Sequence, residues 1–184
     1  MPLTKGHLSY IKSKQSISED AMNKIVPNLW FNNCAKEAAE YYVSIFPDGK
    51  ILNKNYYTES NEDITGHKKG EIVTIEFMAM DTKFIAINAG PEFTFNPSIS
   101  FMIICNNQNE IDYYWEKLSH YKEDEQCGWA KDKFGITWQI VPKQLEEMLT
   151  NGNEEQRKSV TDAFMQMKKF DIKKLEMAYT NSNK

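Results

Sequence analysis

The chain has 184 residues, 41% of them apolar and 12% aromatic, and a formal charge of −4 from 22 basic and 26 acidic side chains. That is enough apolar material for one ordinary domain or two small modules sharing a core, which excludes disorder over most of the length. Charges of both signs are mixed along the chain, so nucleic acid is not an expected partner. No apolar run approaches the ~20 residues needed to span a bilayer, so no membrane is expected either.

Residues 1–22 alternate lysines with serines and show no sustained periodicity; they read as a mobile extension. Ile25–Phe31 reads as a strand, and Pro27 within it argues for an edge position. Asn32 and Asn33 are cap-type residues. Ala35, Ala38, Ala39, Tyr42 and Ile45 then mark one apolar face of a helix, which Pro47-Asp48-Gly49 stops. Residues 50–57 form a second strand. Val73, Ile75, Phe77 and Ala79 alternate on a third, Asp81-Thr82 turns the chain, and 84–89 returns as a fourth.

The order then repeats. Residues 98–105 read as a strand, and Asn107 with Glu110 resembles a capping box. The helix behind it places Ile111, Tyr114, Trp115 and Leu118 on one face. Gln126–Lys131 and Ile136–Val141 read as strands, with a third expected in 119–127. The tail is helical: a short helix from Pro142, one capped by Asn153 and Gln156, and a last from Asp171. Met165 and Met167 read as core filler. The implied organisation is an extension (1–22), a domain (23–142) of two modules (23–90 and 97–142), and a C-terminal helical extension (143–184).

Three stretches of text carry a family resemblance. The first is Ile25-Val26-Pro27-Asn28-Leu29-Trp30-Phe31 with Ala38-Ala39-Glu40-Tyr41-Tyr42 and Ile45-Phe46-Pro47. The second is Asn88-Ala89-Gly90-Pro91 with Phe93, Phe95 and Asn96, then Ile99-Ser100-Phe101. The third is Gln126-Cys127-Gly128-Trp129, Lys131-Asp132-Lys133-Phe134-Gly135 and Trp138-Gln139. Together they resemble the PhnB-like branch of the vicinal oxygen chelate (glyoxalase/bleomycin resistance) superfamily, many of whose members carry the label demethylubiquinone methyltransferase. The resemblance implies an α+β fold of two βαβββ modules forming curved mixed sheets, followed here by C-terminal helices. It also implies a homodimer and a cup for a ligand.

Superfamily enzymes hold a divalent ion with His, Glu or Gln side chains from four strands. Carried onto this sequence, those positions fall at Pro27, Ala86 or Asn88, Ser98 or Ile99, and Gln139. Only Gln139 is a credible ligand, and one neutral amide cannot hold a catalytic ion. His7, His67 and His120 read as solvated surface residues, and Lys131, Asp132 and Lys133 as a charged hairpin turn. No glycine-rich cofactor turn and no phosphate loop occurs, so no cofactor is expected. Cys34, Cys105 and Cys127 are odd in number and form no CxxC, which fits a reducing cytoplasm. Cys105 and Cys127 read as structural, and no histidine is placed to activate Cys127.

What remains is an aromatic cup with sparse polar groups: Trp30, Asn88, Phe101, Trp129, Trp138 and Gln139. The expected function is metal-independent binding of a small apolar or aromatic molecule. The alternative is a lyase, isomerase or dioxygenase with a metal held by Glu71, Glu76 or Glu92, residues whose alternation with apolar neighbours points them to solvent.

Overall fold

A computed structural model describes residues 24–61 and 65–181. The N-terminal extension, with His7, lies outside these residues. The chain divides into two units, one ending at Ala89 and one beginning at Gly90.

The first unit runs β1 (Asn28–Asn32), α1 (Ala35–Ile45), β2 (Lys50–Tyr56), β3 (Ile72–Ala79) and β4 (Thr82–Ala89), in the sheet order β1-β4-β3-β2. β1 is an edge strand parallel to β4, and Pro27 stands just before it, where its missing N–H breaks no ladder. The five apolar positions of α1 are all buried. They cover the sheet face that carries Ile75, Phe77, Ala79, Phe84 and Ala86, with Tyr42 stacked on Phe77 at 5.9 Å and Phe77 on Phe84 at 5.4 Å. Asn32 and Asn33 do not cap α1. The residue at its N-cap is Cys34, which makes no side-chain cap. The Ala35 N–H instead donates to Asn88 Oδ1 at 3.2 Å, across 53 residues of chain.

The β3–β4 hairpin turns at Met80-Asp81, one residue earlier than expected. Both residues have positive φ, 52° and 54°, as a type I′ turn requires. Neither is glycine, and the turn is held from outside: the Asp48 carboxylate accepts the N–H of Met80 at 2.8 Å and of Asp81 at 2.7 Å.

The second unit runs β5 (Phe101–Cys105), α2 (Gln108–Leu118), β6 (Trp129–Lys131) and β7 (Thr137–Pro142), with sheet order β5-β7-β6 and β5 parallel to β7. The helix face of this sheet carries Ile103, Cys105, Ala130, Trp138 and Ile140, all buried beside the apolar stripe of α2. The third strand expected in 119–127 does not form. That segment contains Lys122-Glu123-Asp124-Glu125 and has no alternating apolar face to bury, so it folds as a 3-10 turn at Lys122–Asp124. Its only ladder is one bridge, Gln126 to Trp129, around a tight turn at Cys127 (φ 48°) and Gly128 (φ 79°). The expected strand 126–131 is therefore a turn followed by the short β6.

The tail forms α3 (Lys143–Asn151), α4 (Glu154–Phe164) and α5 (Ile172–Asn181), with the expected Asn153–Gln156 capping box complete. Val160, Ile172 and Leu175 are buried, whereas Met165 is 50% exposed and is not core filler. The segment between α4 and α5 docks on the 127–128 turn. The N–H groups of Cys127 and Gly128 donate to the carbonyls of Met167 (2.8 Å) and Lys168 (2.7 Å). Gln108, at the start of α2, donates to the Phe170 carbonyl and accepts from the Ile172 N–H.

Candidate functional site

Strand alternation sorts the six sequence-derived candidates onto two kinds of sheet face. In the first unit, Trp30 lies opposite Ile87 on the face away from α1. Asn88 lies on the helix side, and its amide is committed there: Oδ1 to Ala35 and Nδ2 to the Ile72 carbonyl at 3.1 Å. In the second unit, Phe101 and Trp138 share the helix-side face, their rings 5.5 Å apart. Trp129 and Gln139 are register partners on the opposite face. Gln139 Nε2 donates to Ser100 Oγ at 2.7 Å. Within the second unit, Trp129 and Gln139 are thus the candidates that neighbour each other on the face away from the helix.

The face that bears Trp129 and Gln139 also bears Lys131 and Thr137, which sequence reading passed over as a turn residue and a strand residue. Beside it, where a 3-10 turn stands in place of the expected third strand, is a cavity of about 470 Å³. Its walls include Trp129, Lys131, Thr137, Glu123, Asp124 and Gln126. Lys131 Nζ is paired with Asp124 at 2.6 Å. Thr137 is 5% exposed, and its hydroxyl oxygen is buried without a hydrogen-bond partner. Leaving such a group unmet costs about 1–3 kcal/mol, and with its oxygen out of reach of solvent this cost falls on the fold.

The loop forming the cavity rim is held by Glu125, which is buried. Burial by itself pushes the Glu125 carboxyl up. Hydrogen bonds from Lys122 and Ser119, with the charges of Lys122 and Lys168, outweigh that and hold it below its ordinary value. A carboxyl depressed in the fold contributes stability that is present above its unfolded pKa and lost as pH falls through its folded pKa. Stability that wild type loses below about pH 4 is therefore expected to be partly absent already in Glu125→Gln. Chemical denaturation across pH reads this; parallel pH profiles for the two proteins would count against it.

Asp132 corrects the charged-turn reading. It is 0% exposed. Oδ1 accepts the N–H of Phe134 (2.9 Å) and Ile136 (3.0 Å), and Oδ2 accepts the Trp138 indole N–H at 2.8 Å. Gly135, at φ 90°, closes the turn by donating to the Asp132 carbonyl. The Asp-Lys-Phe-Gly-x-x-Trp text is thus a structural clamp that fixes Trp138 on the helix side. Lys133 alone is solvent-exposed there.

The donor set does not fit a divalent ion. Pro27 offers no side-chain donor, Ala86 is buried under α1, and Asn88 is spent on helix and strand backbone. Among the described residues no three His, Cys, Asp or Glu side chains are grouped. Of the alternative glutamates, Glu92 is exposed and the other two are engaged elsewhere. Glu76 does not face solvent freely; it pairs with Lys83 at 3.0 Å on the face away from α1, the two side chains 25% and 21% exposed. Glu71 binds His67 Nδ1 at 3.0 Å, and that hydrogen bond holds its carboxyl below the usual range. His67 is therefore not a free surface residue; its ring also stacks on Tyr57 at 4.5 Å. All three thiols are free; burial, aided by Glu110, pushes Cys105 up to about 12, which makes it inert.

Two strand–helix–strand modules, each with its first strand parallel to its last and one face covered by a helix, define an α+β protein of the glyoxalase/bleomycin resistance type. A model of the 3-demethylubiquinone-9 3-methyltransferase family matches residues 23–141, and the chain belongs to that family, in its PhnB-like branch. The structure is similar to a PhnB protein from Bacillus cereus, with 28% identity and a TM-score of 0.54 over 65% of this chain and 99% of that one. It shares the fold of protein PA1353 from Pseudomonas aeruginosa, with 18% identity and a TM-score of 0.51 over 65% of this chain and 97% of the other. No curated protein matches the sequence. No helix among the described residues is long and apolar enough to cross a membrane.

Proposed function

We propose that the protein is a metal-independent binding protein for a small, partly aromatic organic molecule, and that the molecule sits in the cavity beside β6. The observation that carries this reading is a cavity of about 470 Å³ whose walls include Trp129, Lys131 and Gln126. That volume is in the range of small-molecule sites, about 300–1,000 Å³. An indole supplies a broad apolar surface and an amide such as that of Gln126 an orienting polar group. The donor set described above supports binding without a metal. The family's name speaks of methyl transfer, but here the turns leading β1 into α1 (Asn32-Asn33-Cys34) and β5 into α2 (Asn106-Asn107) contain no glycine to let backbone approach a nucleotide-like donor. The same reading has the protein act as a homodimer, with Met102 and Ile104, 55% and 51% exposed on edge strand β5, supporting an apolar seam.

Protein purified without a histidine tag is expected to hold close to no divalent metal per chain after metal addition and dialysis. It is expected to sediment as a dimer and to gain several degrees of melting temperature with compounds that fit the cavity. A metal stoichiometry near one, or product formed from the bound compound, would overturn the binding reading in favour of an enzyme. Monomeric sedimentation would remove the dimer alone.

A further inference from the structure

We infer that residues 165–171, the link between α4 and α5, form a strap that sets one wall of the ligand cavity, so that docking of the strap and filling of the cavity are coupled. This rests on the small-molecule reading above and adds a control element to the same site.

The strap lies beyond the family match, which ends at residue 141. Its first N–H groups turn back to α4: those of Met165, Gln166 and Met167 donate to the carbonyls of Thr161, Ala163 and Phe164. To the rest of the unit it presents carbonyls. Those of Met167 and Lys168 accept from the N–H groups of Cys127 and Gly128 at 2.8 and 2.7 Å, and that of Phe170 accepts from Gln108 at 3.0 Å. The Lys168 ammonium donates to the Lys122 carbonyl at 3.0 Å and stands 3.6 Å from Glu125. The Phe170 ring, 2% exposed, fills the space over Gly128.

The loop these groups hold is the one that walls the cavity: Glu123, Asp124, Gln126 and Cys127 line it, and all lie between Lys122 and Gly128. Gly128 is tied to the sheet by its carbonyl, which accepts from the Ile140 N–H at 2.8 Å. Ahead of it the loop folds as a 3-10 turn, and its sheet pairing is one bridge from Gln126 to Trp129. The strap therefore supplies the backbone acceptors that a neighbouring strand would have supplied. Lys168 is the positioning residue, pinning the loop at its other end. With the strap undocked, the Cys127 and Gly128 N–H groups lose their acceptors, and Glu125 keeps only Ser119 and Lys122. A ligand that touches this wall binds the docked form better. By linkage it holds the strap down by the same factor as the strap favours the ligand.

Amide hydrogen exchange of the full-length protein, read by mass spectrometry, tests the strap without a ligand. Phe170→Ala is expected to speed exchange about tenfold at 165–171 and at 122–128 together, with α2 and β7 still protected. Lys168→Ala removes a side chain that is 61% exposed, so the fold is not at risk. It is expected to speed exchange in the same two segments by about threefold. Wild-type protection of 122–128 in Lys168→Ala would overturn the strap, whatever Phe170→Ala does to the rest of the unit. The coupling is read with naphthylmethanol as the probe. At saturation the probe should slow exchange at 165–171, and Lys168→Ala should weaken its binding by about the same threefold, measured by calorimetric titration. Binding of the probe with no change in exchange at 165–171 would overturn the coupling. A probe that does not bind, with Lys168→Ala still freeing the loop, would overturn the small-molecule reading and leave the strap standing.

Discussion

Asp132→Ala is expected to cost about 3–5 kcal/mol of folding stability, the largest effect of any single polar substitution in the second unit. The carboxylate receives three N–H groups, from Phe134, Ile136 and the Trp138 indole, and the last two are buried with it, without water to turn to. Removing the acceptor orphans all of them at once, and hydrogen bonds to a charged acceptor are worth more than neutral ones. The turn that joins β6 to β7 would lose its organiser and Trp138 its anchor. Asp132→Asn separates the contributions. Its carbonyl oxygen still serves Phe134 and Ile136, but its NH₂ group faces the indole N–H, donor against donor, so an intermediate loss is expected. Urea denaturation followed by tryptophan fluorescence reads both variants. A loss below about 1 kcal/mol for the alanine variant would mean that the carboxylate does not organise the turn.

Gly128→Ala is expected to destabilise the protein by about 2–4 kcal/mol and to release the C-terminal segment. Two effects add. At φ 79° any side chain is strained. A Cβ there would also fall 2.3 Å from the Phe170 ring, which is itself 2% exposed and has nowhere to move. The chain leading into α5 would be pushed off the turn that receives it through Met167 and Lys168. The matching control is Cys127→Gly. That neighbour also has positive φ, and its thiol lies loosely beside the Met165 sulfur at 3.9 Å. The control is expected to stay within about 1 kcal/mol of wild type. Thermal melts give the stabilities, and limited proteolysis between α4 and α5 gives the release. Normal protection of that segment in Gly128→Ala would show that the tail does not depend on this turn.

Both predictions fall on the family's closing text, Gln126 to Gln139, and both give that text a folding role. Cys127-Gly128 is a turn that a tail sits on, and Asp132…Trp138 is a clamp. Other residues of the cavity wall, Glu123, Asp124 and Thr137, lie outside those quoted words or between them. The signal for Asp132 was local and available: an aspartate beginning a turn, glycine three residues later, tryptophan six residues later. The sequence alone nevertheless points to a surface turn, because a lone carboxylate between lysines is usually solvated.

Much of the fold was legible because its cause is short-range. The buried stripe of α1 at Ala35, Ala38, Ala39, Tyr42 and Ile45, the alternation of β3, and the Asn153–Gln156 cap all follow from periods of 3.6 and two and from bonds spanning three residues. The repeated element order and the family text carried the rest of the architecture. What alternation cannot say is which of a strand's two faces a helix will cover. That choice is made by packing, and it put Asn88, Phe101 and Trp138 on the helix side and Trp30, Trp129 and Gln139 on the other.

The absent strand in 119–127 was likewise decided in three dimensions. The segment's charges found partners there, Glu125 with Ser119, Lys122 and Lys168, and no sheet pairing could have offered the carboxylate as much. By itself the sequence determined the order of elements, the helix stripes and the family. Only the tertiary structure decided that Ala35 is capped from β4, that a turn with a cavity beside it flanks β6, and that Asp132 is buried as the acceptor for the Trp138 indole. Those outcomes depend on groups far apart in the chain, or on how a turn packs, and neither has a period that a sequence can display.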